Sequence, residues 1–284
     1  MSSNLLLCGN KTLDLSQPAI MGIVNVTPDS FSDGGELFSN SNLNLDKTLV
    51  LVERMLSDGA DIIDIGGEST RPGADEVTIQ QELDRVIPVL EAVMSRFDAL
   101  VSVDTSTGQV ITEAAAKGAS LINDVRALRR EGALEAAAKA QVPVCLMHMQ
   151  NQPKTMQEQP AYNDVVSEVM EFLQDRQQVC LDAGIGNEKI IIDPGFGFGK
   201  SLAHNMALFH AIDVFAATGC PVLVGVSRKT MIGQMLGVAQ PDQRLIGSVA
   251  MAMLAAQKGA AILRVHDVLE TKQAITTWQH TTQG

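Results

Sequence analysis

Eight times along this chain a short run rich in Val and Ile gives way to a segment with helically spaced apolar residues. The runs cover 19–27, 61–67, 99–105, 120–125, 142–148, 189–193, 221–227 and 260–266. Helical segments follow at 46–57, 78–94, 108–117, 132–140, 164–181, 202–217, within 229–258, and at 268–279. Strands that are apolar on both faces belong to parallel sheets covered by helices. Eight such units predict an α/β fold, a parallel (β/α)8 TIM barrel. An open doubly wound sheet would be favoured by GxGxxG after the first strand, and none occurs there. Residues 4–15 read as two short strands around Gly9-Asn10-Lys11, an N-terminal β-hairpin over one end of the barrel. With no linker or low-complexity tract, residues 1–284 form one domain, hairpin 1–15 and barrel 16–284.

The charge balance narrows the function. A net charge of -12 argues against general nucleic-acid binding, which needs a basic surface. A locally basic site for a small anion stays open. No apolar run approaches the ~20 residues of a membrane span. The start, MSSNLLLCGNK, lacks the basic flank and long apolar core of a signal peptide. Cys8, Cys145, Cys180 and Cys220 lie far apart with no CxxC pair. They read as reduced core thiols of a cytoplasmic protein rather than zinc ligands.

In a barrel, side chains at the C-terminal strand ends converge on one mouth. The stretch DIIDIGGESTRPG (61–73) shows the pattern: a buried strand empties into a polar, Gly-flanked loop bearing Glu68, Ser69, Thr70 and Arg71. Round the barrel the set is Asn25, that loop, Asp104, Asn123, Met147 with His148, Asp193, Ser227-Arg228-Lys229, and Arg264 with His266. Asp104, Asn123, Asp193 and Lys229 supply the acceptors and donors that read an amide-like heterocycle, such as a guanine or pterin edge. The alternatives are helix capping by the two aspartates and a core amide at Asn123. Arg264 and His266, two apart on one strand, share a face and suit a phosphate. An ion pair of Arg264 with Asp267 or another rim carboxylate is the competing reading. Asn25 offers one neutral oxygen toward a magnesium that stays mostly water- and phosphate-ligated, or else is a turn residue. The glycine run PGFGFGK (194–200) lacks the Walker spacing despite Lys200-Ser201. Phe196 and Phe198 are expected instead to wall a flat ring, with glycines allowing close backbone approach.

NVTPDSFSDGG (25–35), DIGGESTRPG (64–73), VDTS (103–106), IND (122–124), DPGFGFGK (193–200), SRK (227–229) and RVHDV (264–268) occur in this order. In that combination the chain resembles the bacterial dihydropteroate synthases over nearly its whole length. The resemblance implies a transferase of folate biosynthesis, which joins 4-aminobenzoate to 7,8-dihydropterin-6-ylmethyl diphosphate and releases pyrophosphate. It implies Asn25 as the protein ligand of Mg2+, and a pterin pocket of Asp104, Asn123, Met147, Asp193 and Lys229. Arg264 and His266 would hold the diphosphate. Thr70, Arg71, Pro72, Phe198 and Lys229 would frame the aminobenzoate, with Phe31 covering it. Lys229, Arg264, His266 and Arg71 would carry the chemistry. A homodimer is also implied. A corrinoid-linked pterin methyltransferase barrel is similar in its pterin pocket but would lack the TPDSFSDGG, STRP and SRK elements found here.

Overall fold

The computed structural model describes residues 4–27, 38–39, 42–69, 77–150 and 160–282. The chain opens with β1 (Leu5–Cys8) and β2 (Lys11–Asp14), paired antiparallel, with Gly9 at φ +67° taking the turn. Then come β3 (Ala19–Asn25), the two-residue strands β4 (Phe38–Ser39) and β5 (Asn42–Leu43), and α1 (Leu45–Ser57). The alternation continues with β6 (Ile62–Gly66), α2 (Ile79–Arg96), β7 (Leu100–Asp104), α3 (Gly108–Ala116), β8 (Leu121–Asp124) and α4 (Ala133–Ala140). The second half holds β9 (Val144–Met147), α5 (Val165–Asp182), β10 (Ile190–Asp193), α6 (Leu202–His210), α7 (Ile212–Ala216) and β11 (Leu223–Val224). It ends with α8 (Thr230–Leu236), α9 (Leu245–Gln257), β12 (Ile262–Val265) and α10 (Val268–Thr282).

Eight parallel strands run side by side in the order β10-β9-β8-β7-β6-β3-β12-β11. A parallel bridge between Ile192 of β10 and Val222, just before β11, joins the two ends and closes the barrel. The expected barrel and hairpin are both present. Two segments differ in detail. The helix expected at 202–217 is two, meeting at Ala211. The span 229–258 holds separate helical segments as expected, α8 and α9, with a 3-10 turn at Pro241–Arg244 between them, where proline can start a helical turn but offers no N–H to continue one. The strand expected at 221–227 narrows to two residues.

The alternation of strand side chains creates two cores. Outward residues such as Ile63, Ile65, Val101 and Val103 pack against Val86, Val89 and Leu90 of α2. Inward residues Met21, Ile62, Leu121, Cys145, Ile191 and Ile262 fill the lower barrel, with Leu6, Cys8 and Leu13 of the hairpin beneath them. Burying Ile63 and Ile65 stabilises the fold by about 3–6 kcal/mol together, enough to hold β6 in place while it carries Asp64 inward.

Candidate active site

The inward apolar layer ends one step above Ile62 and Ile262. Two residues on, the same strand faces carry Asp64 and Arg264. Asp64 is wholly buried. Its Oδ2 accepts from Arg264 Nε at 2.7 Å and from Asn123 Nδ2 at 3.2 Å. Arg264 Nη2 donates to Asp104 Oδ2 at 2.8 Å. One guanidinium therefore lies between two carboxylates, and this drives its own pKa up despite its burial. Burial pushes the Asp104 carboxyl up to about 7, with Asp64 adding to the rise, against the pull of Arg264. Because Asn123 turns its amide N–H toward Asp64, its carbonyl oxygen is left to accept from a ligand.

On the opposite wall, Asp193 Oδ1 accepts from the Gly195 N–H at 2.7 Å, and burial raises this carboxyl against the pull of Lys229. Lys229 starts α8. Its Nζ donates to the Phe196 carbonyl at 2.5 Å and lies 4.5 Å from the centre of the Phe198 ring. Burial pulls its pKa down to about 8, resisted by Asp193. Val125, Met147, Met149 and Phe198 form an apolar cluster of their own beside these groups. A flat, polar-edged heterocycle would find a ring and two thioethers for its faces and carboxylates and an ammonium for its edge.

The third part of the mouth is the end of β12. The Ser227 hydroxyl accepts from the His266 backbone N–H at 3.2 Å and sits 3.0 Å from His266 Nδ1. When that hydroxyl donates to Nδ1, the ring proton belongs on Nε2, which makes it a donor to an anion. Asn25 ends β3 in register with Gly66, which in turn pairs with Asp104. A Cβ on Gly66 would lie 3.9 Å from Asn25 Oδ1 and 3.5 Å from Asp104 Cβ, so the glycine keeps the space between them open.

The structure thus gathers Asn25, Asp104, Asn123, Met147, Asp193, Phe198, Lys229, Arg264 and His266 at one end of the barrel. Phe31, Thr70, Arg71 and Pro72 lie outside the described residues. Helix capping does not account for the aspartates: Thr107 is the N-cap of α3 and Ser201 that of α6. Four expectations need correction. Phe196 does not wall the mouth; it is 1% exposed and packs edge-on against Phe209 in the outer core. The glycine between them sends Phe196 and Phe198 to opposite sides of the loop. Arg228, at φ +57°, turns from the mouth and grips Asp267 through two bonds of 3.0 and 2.5 Å. Asp267 is therefore not the partner of Arg264; the ion-pair reading holds in its other form, with the rim carboxylate Asp104. His148 is buried beside Lys200 rather than presented at the mouth.

Asp64 and Lys200 are the residues that strand-end reasoning passed over. Asp64 sits one layer below the strand end, and its signal is an acid two positions from Ile62 on the inward face. Glu68, in the loop after β6, is held by Arg126 through bonds of 2.7 and 3.1 Å. That bidentate pair fastens the stem of the DIGGESTRPG loop to the loop after β8.

A family model for pterin binding enzymes matches residues 21–266. The dihydropteroate synthase of Haemophilus influenzae is 57% identical over 276 residues, covering 97% of this chain and 98% of that one. A Yersinia pestis dihydropteroate synthase solved with a sulfonamide drug superposes with a TM-score of 0.94 at 55% identity, covering 99% of this chain and 100% of that one. The Xanthomonas albilineans dihydropteroate synthase in complex with 7,8-dihydropteroate gives 0.87 at 44% identity, covering 99% of each chain. The chain belongs to the dihydropteroate synthase family of pterin-binding enzymes.

Proposed function

We propose the following division of labour for the dihydropteroate synthase reaction, in which 4-aminobenzoate displaces pyrophosphate from 7,8-dihydropterin-6-ylmethyl diphosphate. Asp104, Asn123, Asp193 and Lys229 read the pterin edge, while Met147 and Phe198 cover its faces. Arg264 and His266 take the diphosphate. Thr70, Arg71, Pro72 and Phe31 frame the aminobenzoate together with Phe198 and Lys229. The observation that carries this reading is the pairing of Arg264 with Asp104, because it sets an anion-binding group and a heterocycle-reading group 2.8 Å apart.

The chemistry follows from those positions. As the carbon–oxygen bond breaks, negative charge grows on the departing diphosphate, where Arg264 and His266 stabilise it. Positive charge grows on the exocyclic carbon and spreads into the electron-rich dihydropterin, within the field of Asp104 and Asp193. The neutral arylamine attacks that carbon and then loses a proton. An arylamine is nucleophilic when neutral, so no strong general base is needed.

Magnesium suits this site. Asn25 Oδ1 is a hard, neutral oxygen at the strand end. A Mg2+ held by one protein oxygen and otherwise by water and phosphate is consistent with that donor set. When bound it would neutralise diphosphate charge.

We further assign a homodimer through α9. Its sequence, LIGSVAMAMLAAQ, contains no charged residue, and Ile246 is 78% exposed and Leu254 43%. Leu236 of α8 approaches Gly247 and extends the patch. A helix apolar on every face suits a partner surface, and an isologous second copy is the common occupant. Sedimentation of Ile246→Glu should give monomer where the wild type gives dimer. Four buried free thiols support a reducing, cytoplasmic setting. A turnover assay with both substrates, read by pyrophosphate release, tests the reaction. Wild-type enzyme that releases pyrophosphate without aminobenzoate dependence would overturn it.

A further inference from the structure

Lys200 ends the PGFGFGK loop and is 4% exposed. Its ammonium is enclosed by main-chain oxygens and one ring. Nζ lies 2.9 Å from the Gly195 carbonyl, 3.0 Å from that of Phe198 and 3.4 Å from that of His148. His148 Nδ1 is 2.9 Å away. Burial and the nearby Lys200 push His148 down to about 3, so the ring is neutral and its Nδ1 accepts from the ammonium.

The loop can wrap one cation this way only because its backbone is unusual. Gly195, Gly197 and Gly199 have φ of +72°, +81° and +63°. A Cβ on Gly195 would come within 1.9 Å of the His148 carbonyl oxygen. These conformations leave the carbonyls of residues 195 and 198 converging on Lys200, while that of Phe196 receives Lys229. The six-residue stretch between Asp193 and Lys200 is thus strung between two lysines, and Phe198 lies under the second one.

We propose that Lys200 is a positioning residue for pterin recognition: by holding the Gly195 and Phe198 carbonyls it fixes the Phe196 oxygen between them and the Phe198 ring, and through these the direction of Lys229. The inference rests on Lys229 and Phe198 facing the dihydropterin. Asp193, Lys229 and His148 are the titratable groups that face Lys200, with Arg129 behind His148. Burial lowers the Lys200 ammonium to about 7, against the pull of Asp193, so the cage is sensitive to pH in the ligand-free enzyme.

The test compares Lys200→Met and Lys200→Arg with wild type, each carrying 4-fluorophenylalanine at position 198. In K200M, KM for the pterin diphosphate should rise about tenfold or more while kcat stays within about threefold. The fluorine resonance of ligand-free K200M should be displaced or broadened relative to wild type, because the Phe198 ring loses its fixed place under Lys229. K200R, which keeps the charge, should hold the wild-type resonance and the pterin affinity better than K200M. Unchanged KM in K200M overturns the proposal, as does an equal fall in kcat and kcat/KM with pterin binding intact. If K200M does not fold, K200R decides alone, and a displaced Phe198 fluorine resonance with an unchanged KM overturns the proposal. Wild-type turnover with both substrates is measured alongside: its absence defeats the pterin reading itself, whereas its presence with an indifferent K200M defeats only the role of Lys200.

Discussion

Asp64 Oδ2 and Arg264 Nε lie 2.7 Å apart, although 200 positions separate them in the chain. The pair sits at the level where the apolar lower barrel meets the polar mouth. Asp64 is wholly buried, and Arg264 has a side-chain exposure of 20%. Removing one partner of such a pair strands a charge in a poorly solvated place, which costs about 3–5 kcal/mol. Asp64→Ala should therefore lower the unfolding free energy by about 3 kcal/mol or more. Urea unfolding monitored by circular dichroism checks this. A loss below about 1 kcal/mol would mean that Asp104 alone suffices to hold the guanidinium.

Asp193→Asn keeps the shape of the side chain but replaces an acceptor oxygen with a donor amide. Facing pterin N–H groups, the variant should lose roughly 2–4 kcal/mol of pterin affinity, from a lost charge-assisted bond and a clash of donors. The Gly195 N–H, which bonds Oδ1 at 2.7 Å, can be served by the remaining amide oxygen, so folding should hold. Calorimetry giving a pterin affinity within about threefold of wild type would make Asp193 a loop-shaping residue only.

The barrel was legible in the chain because each strand carries its own apolar signature, and strand-end polarity marked Asn25, Asp104, Asn123, Asp193 and Arg264. Three features were not. Asp64 was hidden because its ionic partner lies 200 positions away, and no local pattern reports such a contact. The opposite facing of Phe196 and Phe198 depends on the backbone angles of the glycines between and beside them, which composition does not fix. Arg228 and Lys229 are adjacent and both cationic, yet the left-handed turn at Arg228 sends it to Asp267 while Lys229 reaches the Phe196 carbonyl.

Two of the shifted groups at the mouth, Asp104 and Lys229, predict a pH window for binding a phosphate-free dihydropterin. Burial favours the neutral form of Asp104, so its contribution to folding is fully present below the ordinary 3.8 and is lost as pH rises through about 7. Ligand binding has the opposite sign, because the pterin edge needs the ionised acceptor, and affinity should rise through the same range. Lys229 contributes to folding above its ordinary 10.5, and that contribution is lost as pH falls through about 8. As a donor to the ligand it must be charged, so affinity should fall above about 8. Titration calorimetry across pH 5.5 to 9.5, about two units either side of the maximum, should give a bell. Asp104→Asn should abolish the acidic limb and Lys229→Arg the alkaline one. An acidic limb that survives in D104N would assign it to another carboxyl.

Arg264→Ala separates the two halves of the substrate. The variant loses a donor to the diphosphate, and it also leaves Asp64 and Asp104 without the cation between them. Asp104 already lies at about 7, and removing Arg264 raises it further, so the variant should bind an additional proton near neutrality. Its pterin pocket then has a neutral Asp104 at pH 7, leaving Asp193 to accept, and regains the Asp104 carboxylate as the pH is raised. The diphosphate contact has no such recovery. Affinity for a phosphate-free dihydropterin should therefore fall at pH 7 and return to within about threefold of wild type by pH 9, while the pterin diphosphate stays about a hundredfold weaker at both. Calorimetry in buffers of different ionisation enthalpy reads the affinity and the proton uptake together. Equal weakening of the two ligands at high pH would show that Arg264 serves the pterin pocket as a structural cation and that the diphosphate is held elsewhere.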